Sequence, residues 1–97
     1  GRDDDYIDLP NSRLTGTIIN MPFKKARNVI EAQVIQKKDK SILINVVRNK
    51  AFSPEDEELL LSQIFSYLPS ELCKVVYVDR IEKEANGKFR FVKNEGL

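Results

Sequence analysis

Lys88 is the residue of this chain with the clearest potential for chemistry. It follows Asn86-Gly87, a dipeptide that tolerates positive φ at both positions and therefore predicts a tight turn. The alternation of Phe89 and Phe91 after the turn predicts a strand. A turn of this kind could hold the Lys88 ammonium group toward an anionic reacting centre, where a point charge with three donors stabilises developing negative charge.

The same turn has two other interpretations. In a plain two-residue hairpin, Lys83 would face Arg90 and Lys88 would be a solvated cation, as most exposed lysines are. A phosphate-binding P-loop needs a glycine five residues before the Gly-Lys pair and Ser or Thr after it. Glu82 and Phe89 occupy those positions, so a P-loop is excluded. The local pattern alone favours the hairpin with a solvated Lys88 over the reactive lysine.

Composition limits the remaining function classes. Sixteen basic and fifteen acidic residues give a net charge of +1. Because the charges nearly balance, the chain has no long-range electrostatic field that would attract a nucleic acid. The absence of histidine removes the usual general base, Ser-His triads and most zinc sites. The lone Cys73 has no histidine to act as its base, so we interpret it as a buried, unreactive thiol in a reducing compartment. Since no signal peptide or membrane-length apolar run is present, we predict a cytoplasmic protein with no membrane partner.

Three adjacent carboxylates, Asp3 to Asp5, lie near the start of the chain. A calcium loop needs acidic groups at alternate positions and a glycine at the sixth, and no register of this segment places a glycine there. We therefore predict a solvated acidic turn and no metal site.

The first half of the chain predicts a hairpin, a short helix and two strands. Tyr6 to Leu9 alternates and runs through a Pro-Asn-Ser turn into Arg13 and Leu14, which is typical of a short hairpin. Pro22 could open a short helix with Phe23 and Ala26 facing the core. Residues 29–37 and 41–48 are rich in β-branched residues and are joined by a Lys-Asp-Lys turn. The second of these strands is apolar on both faces, which predicts a central position in the sheet.

The second half predicts a helix and two further strands. Ser53 as N-cap and Pro54 at the first position open a helix that we expect to end at Leu68-Pro69, with one apolar stripe of Leu61, Ile64, Phe65 and Leu68. Residues 73–78 form a third strand, a short strand follows the Gly87 turn, and the polar residues 93–97 are expected to fray. The predicted fold class is α+β: a small antiparallel or mixed sheet in ferredoxin-like element order after an N-terminal hairpin, with helices on one face.

The motif Ala-Asn-Gly-Lys-Phe-Arg-Phe at residues 85–91 resembles the last core motif of the adenylate-forming enzymes, which include acyl-CoA synthetases and phenylacetate-CoA ligases. Its Phe-Arg-Phe is closest to the phenylacetate-CoA ligase-like branch, including members linked to capsular polysaccharide biosynthesis. Gly-Arg-Asp-Asp-Asp at residues 1–5 is similar to the interdomain hinge motif of the same enzymes. The resemblance implies that Lys88 is the catalytic lysine, that Asn86 and Gly87 form its supporting turn, that Asp4 is the hinge residue and that Arg2 approaches the nucleotide.

The order of these two motifs implies that residues 1–97 are a single C-terminal lid domain, a fragment whose N-terminal nucleotide-binding domain is absent from this chain. The parent enzyme would use ATP and Mg²⁺ to convert a carboxylic acid into acyl-AMP and then, with coenzyme A, into an acyl-CoA. The isolated chain is expected to be inactive and to bind no cofactor. The alternative is a stand-alone ferredoxin-like module that binds a small molecule or a protein, in which Gly87-Lys88 is only a hairpin.

Overall fold

Two sheets and three α-helices make up the part of the chain that the structure, a computed structural model, describes: residues 5–85, 87 and 89–97. A two-stranded antiparallel sheet comes first, and a four-stranded mixed sheet forms the body of the domain. The predicted α+β class is confirmed, and the sheet is of the mixed kind. No helix in the described ranges has the length and apolar character needed to cross a membrane.

The N-terminal hairpin consists of β1 (Ile7–Leu9) and β2 (Ser12–Leu14), as predicted. Two four-residue helices follow, α1 (Gly16–Ile19) and α2 (Met21–Lys24), and Pro22 lies in the first turn of α2. The Pro22 helix is confirmed, and so is the packing of Phe23 in the helix and Ala26 just after it against the core. Helix α1 was not predicted, because one helical turn is too short to show a helical period.

The main sheet has the order β5-β4-β3-β6. Strands β3 (Val29–Gln36) and β4 (Ile42–Arg48) are antiparallel neighbours in the middle of the sheet, and the predicted central position of β4 is confirmed. Each has a parallel neighbour on its outer side: β5 (Cys73–Tyr77) pairs with β4, and β6 (Val92–Asn94) pairs with β3. The connection from β5 to β6 therefore leads from one edge of the sheet to the other. It carries the Gly87 turn.

One face of this sheet forms the core. Val34 lies opposite Ile44 across the central pair, and both side chains are fully buried. They belong to one cluster with Leu60 and Ile64 of α3 (Pro54–Ile64). Alternation along β3 and β4 thus directs β-branched side chains to the helix-covered face.

Helix α3 begins as predicted and ends earlier than predicted. Ser53 and Asp56 form a capping box, with Asp56 N–H donating to Ser53 Oγ (3.2 Å) and Ser53 N–H donating to Asp56 Oδ2 (3.0 Å). The helix ends at Ile64, and the chain then turns, with Leu68 N–H still bonded to Ile64 O. The end expected at Leu68-Pro69 was wrong.

The predicted apolar stripe of α3 also needs correction. The buried side chains are Leu60, Ile64 and Leu68, whereas Phe65 is 39% exposed. Leu61 is half-buried. Leu60, Ile64 and Leu68 are four residues apart and face the core, so Leu61 and Phe65, one position further along the chain, are rotated by about 100° away from the core.

The last strand lies later in the chain than predicted. Residues 89–91 are irregular, and β6 spans Val92–Asn94, where fraying was expected. The strand is ordered because Val92 is fully buried and Asn94 is 8% exposed. No strand occurs among the described residues of 78–91, so the hairpin with Lys83 opposite Arg90 is not formed.

Candidate functional site

The turn at Gly87 is the predicted feature around which the candidate site is built. Gly87 N–H donates to Glu84 O at 2.8 Å, and Gly87 has a φ of +82°. A β-carbon placed at Gly87 would meet no heavy atom within 4 Å. Glycine is therefore favoured here by backbone conformation and not by lack of space.

A cleft of about 560 Å³ opens beside this turn. It lies between the two short helices, the first half of β3 and the segment after Gly87. Phe91 forms an edge-to-face contact with Phe23, with ring centroids 5.6 Å apart. Ile30 and Phe89 are exposed apolar side chains of the lining, at 61% and 36%. The lining residues are Gly16, Thr17, Asn20, Phe23, Lys24, Val29, Ile30, Glu31, Ala32, Phe89 and Phe91.

Arg90, three residues after Gly87, lies between the carboxylates of Asp5 and Glu84. Its Nη1 is 3.4 Å from Asp5 Oδ2, and its Nε is 3.9 Å from Glu84 Oε1. Lys93 Nζ is 3.7 Å from the second oxygen of Glu84. These four side chains, the Arg90 cluster, are 25% to 39% exposed. They lie at a partly desolvated site, where charges interact more strongly than on an open surface.

Two buried side-chain amides fix the chain that follows Asp5. Gln36, which is fully buried, accepts from Asp8 N–H (2.8 Å) and donates to Asp8 O (2.9 Å). Asn94 donates to Gln36 Oε1 and to Tyr6 O, both at 2.9 Å. Because every bond joins distant parts of the sequence, β1 is held against β3 and β6.

Cys73 and Tyr77 have pKa values raised by their surroundings. Burial, aided by the nearby Glu71, raises the pKa of the Cys73 thiol to about 11, so this half-buried cysteine stays protonated at neutral pH, in keeping with its interpretation as an inert thiol. Burial and a 2.5 Å hydrogen bond to Glu57 raise the pKa of Tyr77 to about 12. Arg48 stacks on the Tyr77 ring at 4.2 Å.

Of the residues that the sequence singled out, Gly87 is described by the structure. Arg2, Asp4, Asn86 and Lys88 lie outside the described residues. Asp5 directly follows Asp4 in the chain, and Arg90 lies two residues after Lys88. The Asp5 and Arg90 side chains meet across 85 residues of sequence, a contact for which the sequence gives no local signal.

Comparison with known proteins agrees with part of the resemblance. The family model of the CapK C-terminal domain matches residues 10–95, which include the cleft and the Gly87 turn. A search of curated proteins finds no match. A family of C-terminal domains implies a domain that precedes it in the same polypeptide. The chain therefore belongs to the CapK C-terminal domain family and is the C-terminal domain of a larger protein.

Proposed function

We propose that this domain is the mobile lid of an ATP-dependent, adenylate-forming ligase of the phenylacetate-CoA ligase-like branch, in a protein related to capsule biosynthesis. The observation that carries the proposal is the positive-φ turn at Gly87 beside a cleft that combines aromatic and polar side chains. Lys88 is the next residue in the chain, and Phe89 after it lines that cleft. This is the sequence context in which the adenylate-forming enzymes carry their adenylation lysine.

The proposed role of Lys88 is electrostatic. In the first half-reaction a substrate carboxylate oxygen attacks the α-phosphorus of ATP, the bond to the β-phosphate oxygen breaks, and pyrophosphate leaves with its electron pair. The Lys88 ammonium group would stabilise the negative charge shared by the carboxylate and the α-phosphate oxygens. Arg2 would approach the nucleotide. Magnesium, held mainly by the preceding domain, would neutralise charge on the departing phosphates.

Delivery of the lysine by domain closure is physically favourable. The ammonium group reaches the reacting atoms after water has left, so its interaction with the transition state is stronger than in an open site. The phenylalanines of the cleft, Phe23, Phe89 and Phe91, supply apolar surface beside the turn. Rotation about Asp4 would then remove the lysine and admit a thiol, which we propose is coenzyme A, to take the acyl group and release AMP.

Pyrophosphate release by the full-length protein tests this function. The protein is supplied with ATP, magnesium and a panel of aryl and fatty acids, beside a Lys88→Ala variant. We expect acid-dependent release that falls roughly 10²-fold or more in the variant, the loss typical of one preorganised donor. Thioester formation from synthetic acyl-AMP should be retained. Lys83→Ala, which removes an exposed lysine of the same connection, is the matched control and should keep full activity.

Two results would contradict the proposal. An equal fall of both half-reactions in Lys88→Ala would make the lysine structural. Absence of release with every acid, from a folded full-length protein, would favour a binding module without catalysis.

A further inference from the structure

We infer that Arg90 is a positioning residue that links the Gly87 turn to Asp5. The segment that begins at Asp5, directly after the proposed hinge residue Asp4, thereby sets the orientation of the turn. The inference rests on the proposed function and adds residues that the resemblance does not assign. It is carried by the Arg90 cluster, whose members are all described by the structure.

Asp5 is anchored to β6. Its backbone N–H donates to Val92 O at 3.1 Å, and its Oδ2 accepts from the backbone N–H of Asn94 at 2.8 Å. The same Oδ2 atom lies 3.4 Å from Arg90 Nη1. One carboxylate oxygen therefore joins a strand end and the guanidinium group, and the segment after the hinge motif is fixed to the sheet from Asp5 onward.

Arg90 is itself fixed at its backbone. Gln33, a buried residue of β3, donates from Nε2 to Arg90 O at 2.8 Å. With its main chain held to the sheet, the Arg90 side chain reaches Asp5 on one side and Glu84 on the other. A guanidinium group can face two carboxylates at once through donors in a rigid plane, which a lysine ammonium does less well.

Glu84 completes the connection to the turn. Its side chain faces Arg90 and Lys93, and its backbone carbonyl accepts the Gly87 N–H that closes the turn. The path Asp5, Arg90, Glu84, Gly87 is thus a continuous series of charge contacts and one backbone hydrogen bond. Displacing the turn by a fraction of an ångström would misplace whatever it presents, and misplacement of about 1 Å can cost roughly 10²-fold in rate.

The test uses the full-length protein with Arg90→Met and Asp5→Asn. Asn at position 5 keeps an oxygen for the Asn94 N–H and removes the charge that Arg90 faces. We expect the adenylation kcat to fall about tenfold in each variant with the KM for ATP unchanged, and thioester formation from acyl-AMP to stay within about twofold. Arg90→Lys should recover adenylation in part. Arg80→Met is the matched control, because Arg80 lies in the same connection and pairs with Glu82 at 82% and 85% exposure.

Hydrogen exchange at the Gly87 amide gives a readout that does not need activity. We expect its exchange to be about tenfold faster in both Arg90→Met and Asp5→Asn, and unchanged in Arg80→Met. The Asp5→Asn/Arg90→Met double variant should be no worse than Arg90→Met alone, since the two residues act through each other.

The remaining outcomes distinguish failure of the positioning role of Arg90 from failure of the proposed ligase function. Unchanged Gly87 exchange, or multiplicative effects in the double variant, would overturn the positioning role. If Lys88→Ala loses adenylation and Arg90→Met keeps it, the ligase function stands and the inference fails. If Lys88→Ala keeps adenylation, both fail.

Discussion

A substitution series at Gly87 gives the sharpest test of the proposed role of the Gly87 turn in adenylation. The residue has a φ of +82°, and a β-carbon there would meet no heavy atom within 4 Å. The size of a new side chain should therefore not destabilise the turn. The free-energy cost of each substitution should come from the positive φ that the residue must adopt. For most L-residues the left-handed region costs roughly 1–2 kcal/mol, and asparagine tolerates it better.

The predicted order of adenylation rates is Gly, then Asn, then Ala, then Val. If the turn in Gly87→Ala relaxes to negative φ, a cost of about 1–2 kcal/mol lowers the population of the competent turn, and with it the rate, roughly 5- to 30-fold. A β-branched valine should be worse still. The larger asparagine should do less harm than the smaller alanine, which reverses the order expected from crowding.

The assay is acid-dependent pyrophosphate release by the full-length variants, with thioester formation from synthetic acyl-AMP as the internal control. Rates that follow side-chain volume, with Ala above Asn, would refute the backbone argument. Equal rates across the series would show that the turn does not position the reactive group.

The remaining predictions concern stability, measured by urea unfolding of the 97-residue chain. Gln36→Leu should lower the free energy of unfolding by about 3 kcal/mol, because it leaves the N–H and C=O of Asp8 without their buried partner, whereas the half-buried Gln63→Leu should change it by less than about 0.5 kcal/mol. A loss no larger than that of the control would contradict the role of Gln36. Since the folded pKa of Tyr77 is raised to about 12 from 10.0, its contribution to stability is complete below pH 10 and is lost as the pH rises toward 12. Tyr77→Phe should flatten that decline, and an equally steep decline in the variant would assign it to other groups.

Elements specified by neighbouring residues could be predicted from the sequence. The start of α3 follows from Ser53, Pro54 and Asp56, which satisfy the first turn of the helix among themselves. The pairing of β3 with β4 follows from two β-branched runs joined by a short turn. The Gly87 turn likewise follows from its dipeptide.

Features specified by distant residues were missed. The polar residues from Lys93 onward predict a frayed tail, yet β6 is ordered because Asn94 bonds to Tyr6 and Gln36. The Asp5–Arg90 contact depends on the connection across the sheet, which no local pattern encodes. The exposure of Phe65 depends on which side of α3 packs on the core, and that contact joins elements that are distant in the sequence.

The bond between Asp5 and Asn94 joins residues that are 89 positions apart. During translation, Asp5 emerges before β6, so its contacts with Val92 and Asn94 cannot form until β6 has been synthesised. Such a closing contact carries a high loop-closure entropy and belongs late in folding. A chain broken before Val92 would keep most of its core and both central strands, yet it would release Asp5 and Tyr6 from the sheet. Strand β6, near one end of the domain's sequence, thus holds Asp5 and Tyr6, near the other end, against the sheet.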